Sequence, residues 1–172
     1  MTDRYTLGYA LLSFQVLGEP VPQGQIRNLG KGRPSVYANQ QRLLPFREHV
    51  QHAAEQAISA CVGIEFPIND GVGVTCHFTV KRAVVPGKGL SQFPAKKPDI
   101  DKLERAIFDA LRPAGVYHDD KQVVWSHSTK SYPGTTVYSL LVPGVRIQVY
   151  KVTREEASYG EYLGLNSTAV AA

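Results

Sequence analysis

The sequence predicts an α+β fold: a mixed or antiparallel sheet of about four strands with two helices packed on one face, in the order β-α-β-α-β-β. Three observations carry that prediction. Apolar residues recur with a period of two around residues 72–80 and 145–151. They recur at spacings of three and four around residues 46–58 and 103–110. Stretches rich in proline and glycine separate these runs.

Residues 10–17 (ALLSFQVL) are largely apolar and end at Gly18, which reads as a first strand. Residues 18–35 hold three prolines and four glycines, the composition of a loop. A helix is expected from near Pro45, a residue suited to a first helical position. Phe46, Val50, Ala53, Ala54, Ala57 and Ile58 form its apolar stripe, and Gly63 follows its end. Residues 71–81 read as a second strand, with Val72, Val74, Cys76, Phe78 and Val80 alternating with smaller or polar residues.

A basic loop runs to Pro98, and a short helix over about residues 101–111 is stopped by Pro113. The third strand is expected over residues 122–132, with Trp125 in the core, and the fourth over residues 145–152. In the fourth, Val145, Ile147 and Val149 alternate with Arg146, Gln148 and Tyr150. Residues 153–172 are polar and then small, the pattern of a flexible tail, so residues 1–152 read as one domain.

Composition agrees. A chain of 172 residues, 43% apolar and 20% charged, is long enough to bury a core without staples. Cys61 and Cys76 are too few for a disulfide scaffold, and no secretory leader pattern opens the chain. Reduced thiols and a cytoplasmic location are expected. No apolar run reaches the roughly 18 residues of a membrane span, so no membrane partner is expected. A net charge of +4 leans towards a polyanion. The basic residues are unevenly placed: Arg27, Lys31 and Arg33 fall in one acid-free stretch. Lys81, Arg82, Lys88, Lys96 and Lys97 fall in another, and acids then crowd between Asp99 and Asp120.

The chemistry is concentrated in residues 96–124, KKPDIDKLERAIFDALRPAGVYHDDKQVV. Asp99 and Asp101 lie two apart in a segment that Pro98 starts as extended, so both carboxylates can face one point. A helix start needs only one aspartate as a cap. Two converging there repel unless a cation lies between them, and hard oxygen ligands suit Mg²⁺. On the helix, Leu103, Ala106, Ile107 and Ala110 form one stripe, and Asp101 and Arg105 face the other way. Arg105 is placed to hold a phosphate oxygen, or to pair with Asp101 or Asp109. Asp119 and Asp120 precede the third strand, where one acid of the pair could join Asp99 and Asp101, or serve only the turn. His118 and His127 are not at zinc-ligand spacing, and no nucleophile arrangement competes.

The block KPDIDKLERAIFDAL followed by GVYHDDKQVV resembles the RusA family of Holliday-junction resolvases. The loop GEPVPQG resembles that family's G-x-P-V-P-x-G element. The resemblance implies a homodimer that binds a four-way DNA junction and makes paired, metal-dependent cuts, with Mg²⁺ as cofactor and Mn²⁺ as a substitute. It carries the catalytic, metal-binding acids over to Asp99, Asp101 and Asp120, and a required lysine to Arg105. Arginine keeps the charge but cannot give up a proton. Arg27, Lys31, Arg33, Lys96 and Lys97 are the expected DNA contacts, with Gln23 and Gln25 standing where the family often has basic residues. Two alternatives remain: a metal-dependent nuclease for other branched DNA, and a binder that has lost catalysis.

Overall fold

The computed structural model describes residues 5–24, 26–27, 36–37, 39–82 and 91–154. In chain order the elements are β1 (Tyr5–Leu17), β2 (Ile26–Arg27), β3 (Val36–Tyr37), α1 (Gln40–Ser59), β4 (Val72–Thr79), α2 (Ile100–Leu111), β5 (Val123–Ser131) and β6 (Gly144–Arg154). The main sheet has four strands in the order β1-β6-β4-β5, with β6 antiparallel to β1 and β4, and β4 parallel to β5. The expected α+β class, with a mixed four-stranded sheet and two helices, is what forms.

Register explains the core. Leu12 and Val16 of β1, Val145, Ile147 and Val149 of β6, and Val72, Val74, Cys76 and Phe78 of β4 share one face. Leu43, Phe46, Val50 and Ala54 of α1 pack on it with Leu103, Ala106, Ile107, Ala110 and Leu111 of α2. The short α2 lacks the length to be stable alone, so this apolar stripe is what holds it. Gly144 lets β6 close on β1, because a Cβ there would lie 2.5 Å from the Val16 carbonyl oxygen.

The structure corrects five local readings. β1 starts at Tyr5 rather than residue 10, and β6 runs to Arg154 rather than residue 152. Both extensions come from pairing with each other (Tyr5 with Arg154, Thr6 with Thr153), which no local apolar pattern announces. The rest of the expected tail, residues 155–172, lies outside the described residues. Residues 18–35 are not wholly loop, since Ile26 and Arg27 pair with Tyr37 and Val36. α1 begins at Gln40, which puts Pro45 inside the helix. So near the N-terminus the ring forfeits a single backbone hydrogen bond, and the Phe46 and Val50 stripe outweighs that loss.

The fifth concerns β4, which is buried on both faces instead of alternately. On the face away from the helices the loop between β5 and β6 folds over it. The Leu140 amide donates to Thr79 Oγ1 at 2.8 Å, and the Tyr138 ring stacks on His77 with centroids 4.5 Å apart. Burial, with His127 and Arg146 adding, lowers the His77 pKa from its ordinary value. Trp125 lies on this second face, half-buried and stacked towards His127, not in the helix-covered core.

Candidate active site

The segment ahead of α2 turns from extended to helical at Asp99, the N-cap residue, with φ −73° and ψ 138°. Its carbonyl accepts the Leu103 amide at 3.2 Å, but its carboxylate does not cap the helix. Asp99 Oδ2 instead accepts from Lys102 Nζ at 2.8 Å. That hydrogen bond and the Lys102 charge, with Lys97 and Lys130 adding, hold the Asp99 carboxyl below its ordinary range. Asp101, in the first turn, is exposed and makes no ion pair among the described residues. Arg105 is exposed one turn on, away from the buried stripe, and does not pair with Asp101 or Asp109. Asp109 is taken by Arg47 of α1. Lys96 and Lys97 are exposed just before Asp99.

Two other regions converge on this helix start. In the first loop, Val21 is buried and the Gln23 amide donates to the Lys102 carbonyl at 2.8 Å. Asn39 Nδ2 donates to the Pro22 carbonyl at 2.7 Å. Arg27 lies in β2, a little further along, while Lys31 and Arg33 lie outside the described residues. From the sheet, β5 reaches over with alternate residues. Ser128 Oγ donates to Glu104 at 2.8 Å, and Lys130 Nζ donates to the carbonyls of Lys96 and Pro98 at 2.8 and 2.7 Å. Just beyond the strand, the Tyr132 hydroxyl donates to the Phe93 carbonyl at 3.3 Å, and Arg82 lies over the Tyr132 ring at 4.4 Å. A cleft of about 460 Å³ opens beside the site, lined by Glu19, Pro20, Val80, Lys81, Arg82, Lys97 and Pro98.

Asp119 and Asp120 sit elsewhere. They precede β5, whereas Lys130, which grips the segment before Asp99, lies near the other end of that strand. At about 3.3 Å per residue, the strand alone separates the two ends by roughly 20 Å. Among the described residues no group of three or more His, Cys, Asp or Glu side chains is disposed to hold a metal ion. A single chain therefore brings together Asp99, Asp101, Arg105, Lys96 and Lys97, but not Asp120.

Asp119 and Asp120 also differ from each other. The Asp119 carboxylate accepts from the Lys121 amide at 3.1 Å, while Gln122 Oε1 accepts from the Asp119 and His118 amides at 3.1 and 2.9 Å. This closed capping box starts the 3-10 turn Asp120–Gln122. Gln122 Nε2 donates to the carbonyls of Ile68 and Asp70, tying the turn to the chain before β4. The Asp120 carboxylate is exposed and makes no ion pair among the described residues.

Sequence reasoning missed Lys102, Gln122 and Lys130. A Glu or Gln three residues after an Asp is the capping-box signature, so Gln122 was legible. Period-two register puts Lys130 opposite Phe78, on the helix-covered face, where a lysine needs acceptors. Lys102 carries no such local signal. As a donor set, Asp99 and Asp101 fit a hard cation that keeps several waters and needs only one or two protein carboxylates.

Comparison with known families matches residues 18–150 to the family described as Endodeoxyribonuclease RusA. Comparison with curated proteins gives no match.

Proposed function

The chain belongs to the endodeoxyribonuclease RusA family, and from that premise we propose that it is a Mg²⁺-dependent resolvase that cuts four-way DNA junctions in pairs. One observation carries the reading: two aspartates at a helix start, neither spent on capping, framed by Lys96, Lys97 and Arg105. Asp99 and Asp101 are the proposed metal ligands, with Mn²⁺ able to replace Mg²⁺. Bound there, the metal would polarise a phosphodiester oxygen and lower the pKa of a bound water.

The chain's own groups supply the rest. Arg105, one helical turn from Asp101, holds a non-bridging phosphate oxygen but donates no proton to the leaving group. Lys96 and Lys97 neutralise neighbouring phosphates of the strand, and Arg27, Lys31 and Arg33 extend that contact from the first loop. Lys102, now bonded to Asp99, would be free to meet phosphate with a metal held on that carboxylate.

Asp120 enters through a second copy of the chain. The separation of the Asp99 and Asp120 ends within one protomer supports a homodimer in which each site draws on both copies. A two-fold dimer also matches two symmetric strands to be cut. The proposed setting is DNA recombination and repair in the cytoplasm of a bacterial or phage-infected cell.

The test is a synthetic immobile four-way junction incubated with the protein, with and without Mg²⁺, its strands resolved on a denaturing gel. Symmetric, metal-dependent nicks are expected. Equal cutting of linear duplex would turn the reading to a broader nuclease. Tight binding without nicks in Mg²⁺ or Mn²⁺ would favour a catalytically silent binder, in which the Lys102 clasp on Asp99 is permanent.

A further inference from the structure

We propose that Lys130 is a positioning residue for the cut. Its ammonium fixes the peptide before Asp99 and so sets the direction in which that carboxylate points. The proposal rests on the reading of Asp99 as a metal ligand.

Lys130 lies in the helix-facing register of β5, opposite Phe78. An ammonium on that side of the sheet must be matched by acceptors. A carboxylate is near, yet Lys130 is not bonded to it: Asp99 is bonded to Lys102. Lys130 Nζ goes to two backbone carbonyls, those of Lys96 and Pro98, at 2.8 and 2.7 Å. The second belongs to the peptide that joins Pro98 to Asp99. One charge thus pins the segment at two points separated by a single residue, and charge-assisted bonds are stronger than neutral ones.

The next alternate residues, one on β5 and one just past its end, extend the same device. Ser128 is tied to Glu104 inside α2, and Tyr132 to Phe93 at the start of the segment. Ser128, Lys130 and Tyr132 are alternate residues, so the period of two, carried through β5 to the residue just past its end, meets α2 and its approach at three successive points. Lys130 is the central one and the one nearest Asp99. Its neutralising effect on DNA is secondary, because two of its three donors are spent on the protein.

A ligand misplaced by an ångström costs rate, not affinity for a long DNA partner. The experiment measures junction cleavage by the full chain in Mg²⁺ for Lys130→Met and Lys130→Arg against wild type. It reads kcat and KM for the junction, and the Mg²⁺ requirement both as the concentration giving half-maximal rate and as Mg²⁺ binding to the DNA-free chain by calorimetry. Met keeps the apolar stem and loses the ammonium. It should lower kcat by about tenfold or more and raise the Mg²⁺ requirement, with KM within about twofold. Arg, which can still donate to both carbonyls, should recover most of the rate.

Wild-type kcat and wild-type Mg²⁺ requirement in Lys130→Met would overturn the proposal. A loss confined to KM would also overturn it and make Lys130 a DNA contact. If circular dichroism shows Lys130→Met unfolded, Lys130→Gln is judged by the same criteria. A wild-type chain that never nicks the junction instead overturns the resolvase reading, and the positioning proposal falls with it.

Discussion

At one end of the α2–β5 layer, Asp99 occupies an N-cap position without capping; at the other, Asp119 occupies one and caps completely. Both are aspartates next to a second acid, at the start of a helical turn. The Asp119 carboxylate is absorbed by backbone amides and the Gln122 box, so it stabilises the turn. The Asp99 carboxylate is left facing a lysine ammonium, a partner that a metal could replace and a phosphate could draw away. The difference lies in what the carboxylate touches: a backbone amide, with the Lys121 ammonium only at 3.6 Å, for Asp119, and the Lys102 ammonium for Asp99.

The sharpest way to break that comparison is to disable each end in turn. Asp101→Asn should cut the single-turnover cleavage rate by roughly 100-fold or more while junction binding in a gel-shift assay persists. Asp120→Asn should do the same although it lies at the far end. Mixing the two inactive proteins should restore part of the cutting, because some mixed dimers keep one intact site. No recovery on mixing would mean that the two ends do not meet across the dimer.

The next effects are on stability. Gln122→Ala removes hydrogen bonds to His118, Asp119, Ile68 and Asp70. It should cost about 1–3 kcal/mol, read as a thermal midpoint lowered by several degrees. Asp119→Ala removes the cap, about 1 kcal/mol, and an exposed ion pair with Lys121, and should leave far more cleavage than Asp120→Asn does. Equal loss of cleavage in both would put Asp119 among the acting acids.

The smallest effect distinguishes the causes of two similar pKa shifts. Both Asp99 and Asp119 carboxyls lie below their ordinary values, Asp99 chiefly through Lys102 and Asp119 chiefly through the Lys121 backbone amide. Both contribute stability that is present above the ordinary carboxylate value and lost as pH falls through the lowered one. Salt screens charges more than it weakens a backbone hydrogen bond. NMR titration in high salt should therefore move Asp99 back towards its ordinary value further than Asp119.

Much of this was legible in the residues alone. The α2 stripe and its outward Asp101 and Arg105 follow from helical spacing, and the structure keeps them so. The α+β class follows from the alternation of periods. What escaped depends on contacts between distant segments. β1 reaches back to Tyr5 because β6 is there to pair with it. His77 and Thr79 are buried because a loop some sixty residues later, carrying Tyr138 and Leu140, covers them. The separation of Asp120 from Asp99 follows from the direction of β5, which no spacing between two acids along the chain reveals. Lys130 was hidden for the same reason: its partners are carbonyls, which have no letter in a sequence.

The strand order β1-β6-β4-β5 has a further consequence for how the chain is made. β6, the last of the described strands, is the one inserted between β1 and β4. Until it is synthesised, β1 has no neighbour in the main sheet and β4 is open along one side. A growing chain must keep those apolar edges from other chains, which makes slow synthesis and crowding its hazardous interval. The ring closed by β1 and β6 is nearly as long as the domain, so its closure carries a large entropic cost and belongs late in folding. A chain halted before residue 144 would lack more than an edge: the centre of its sheet would be missing.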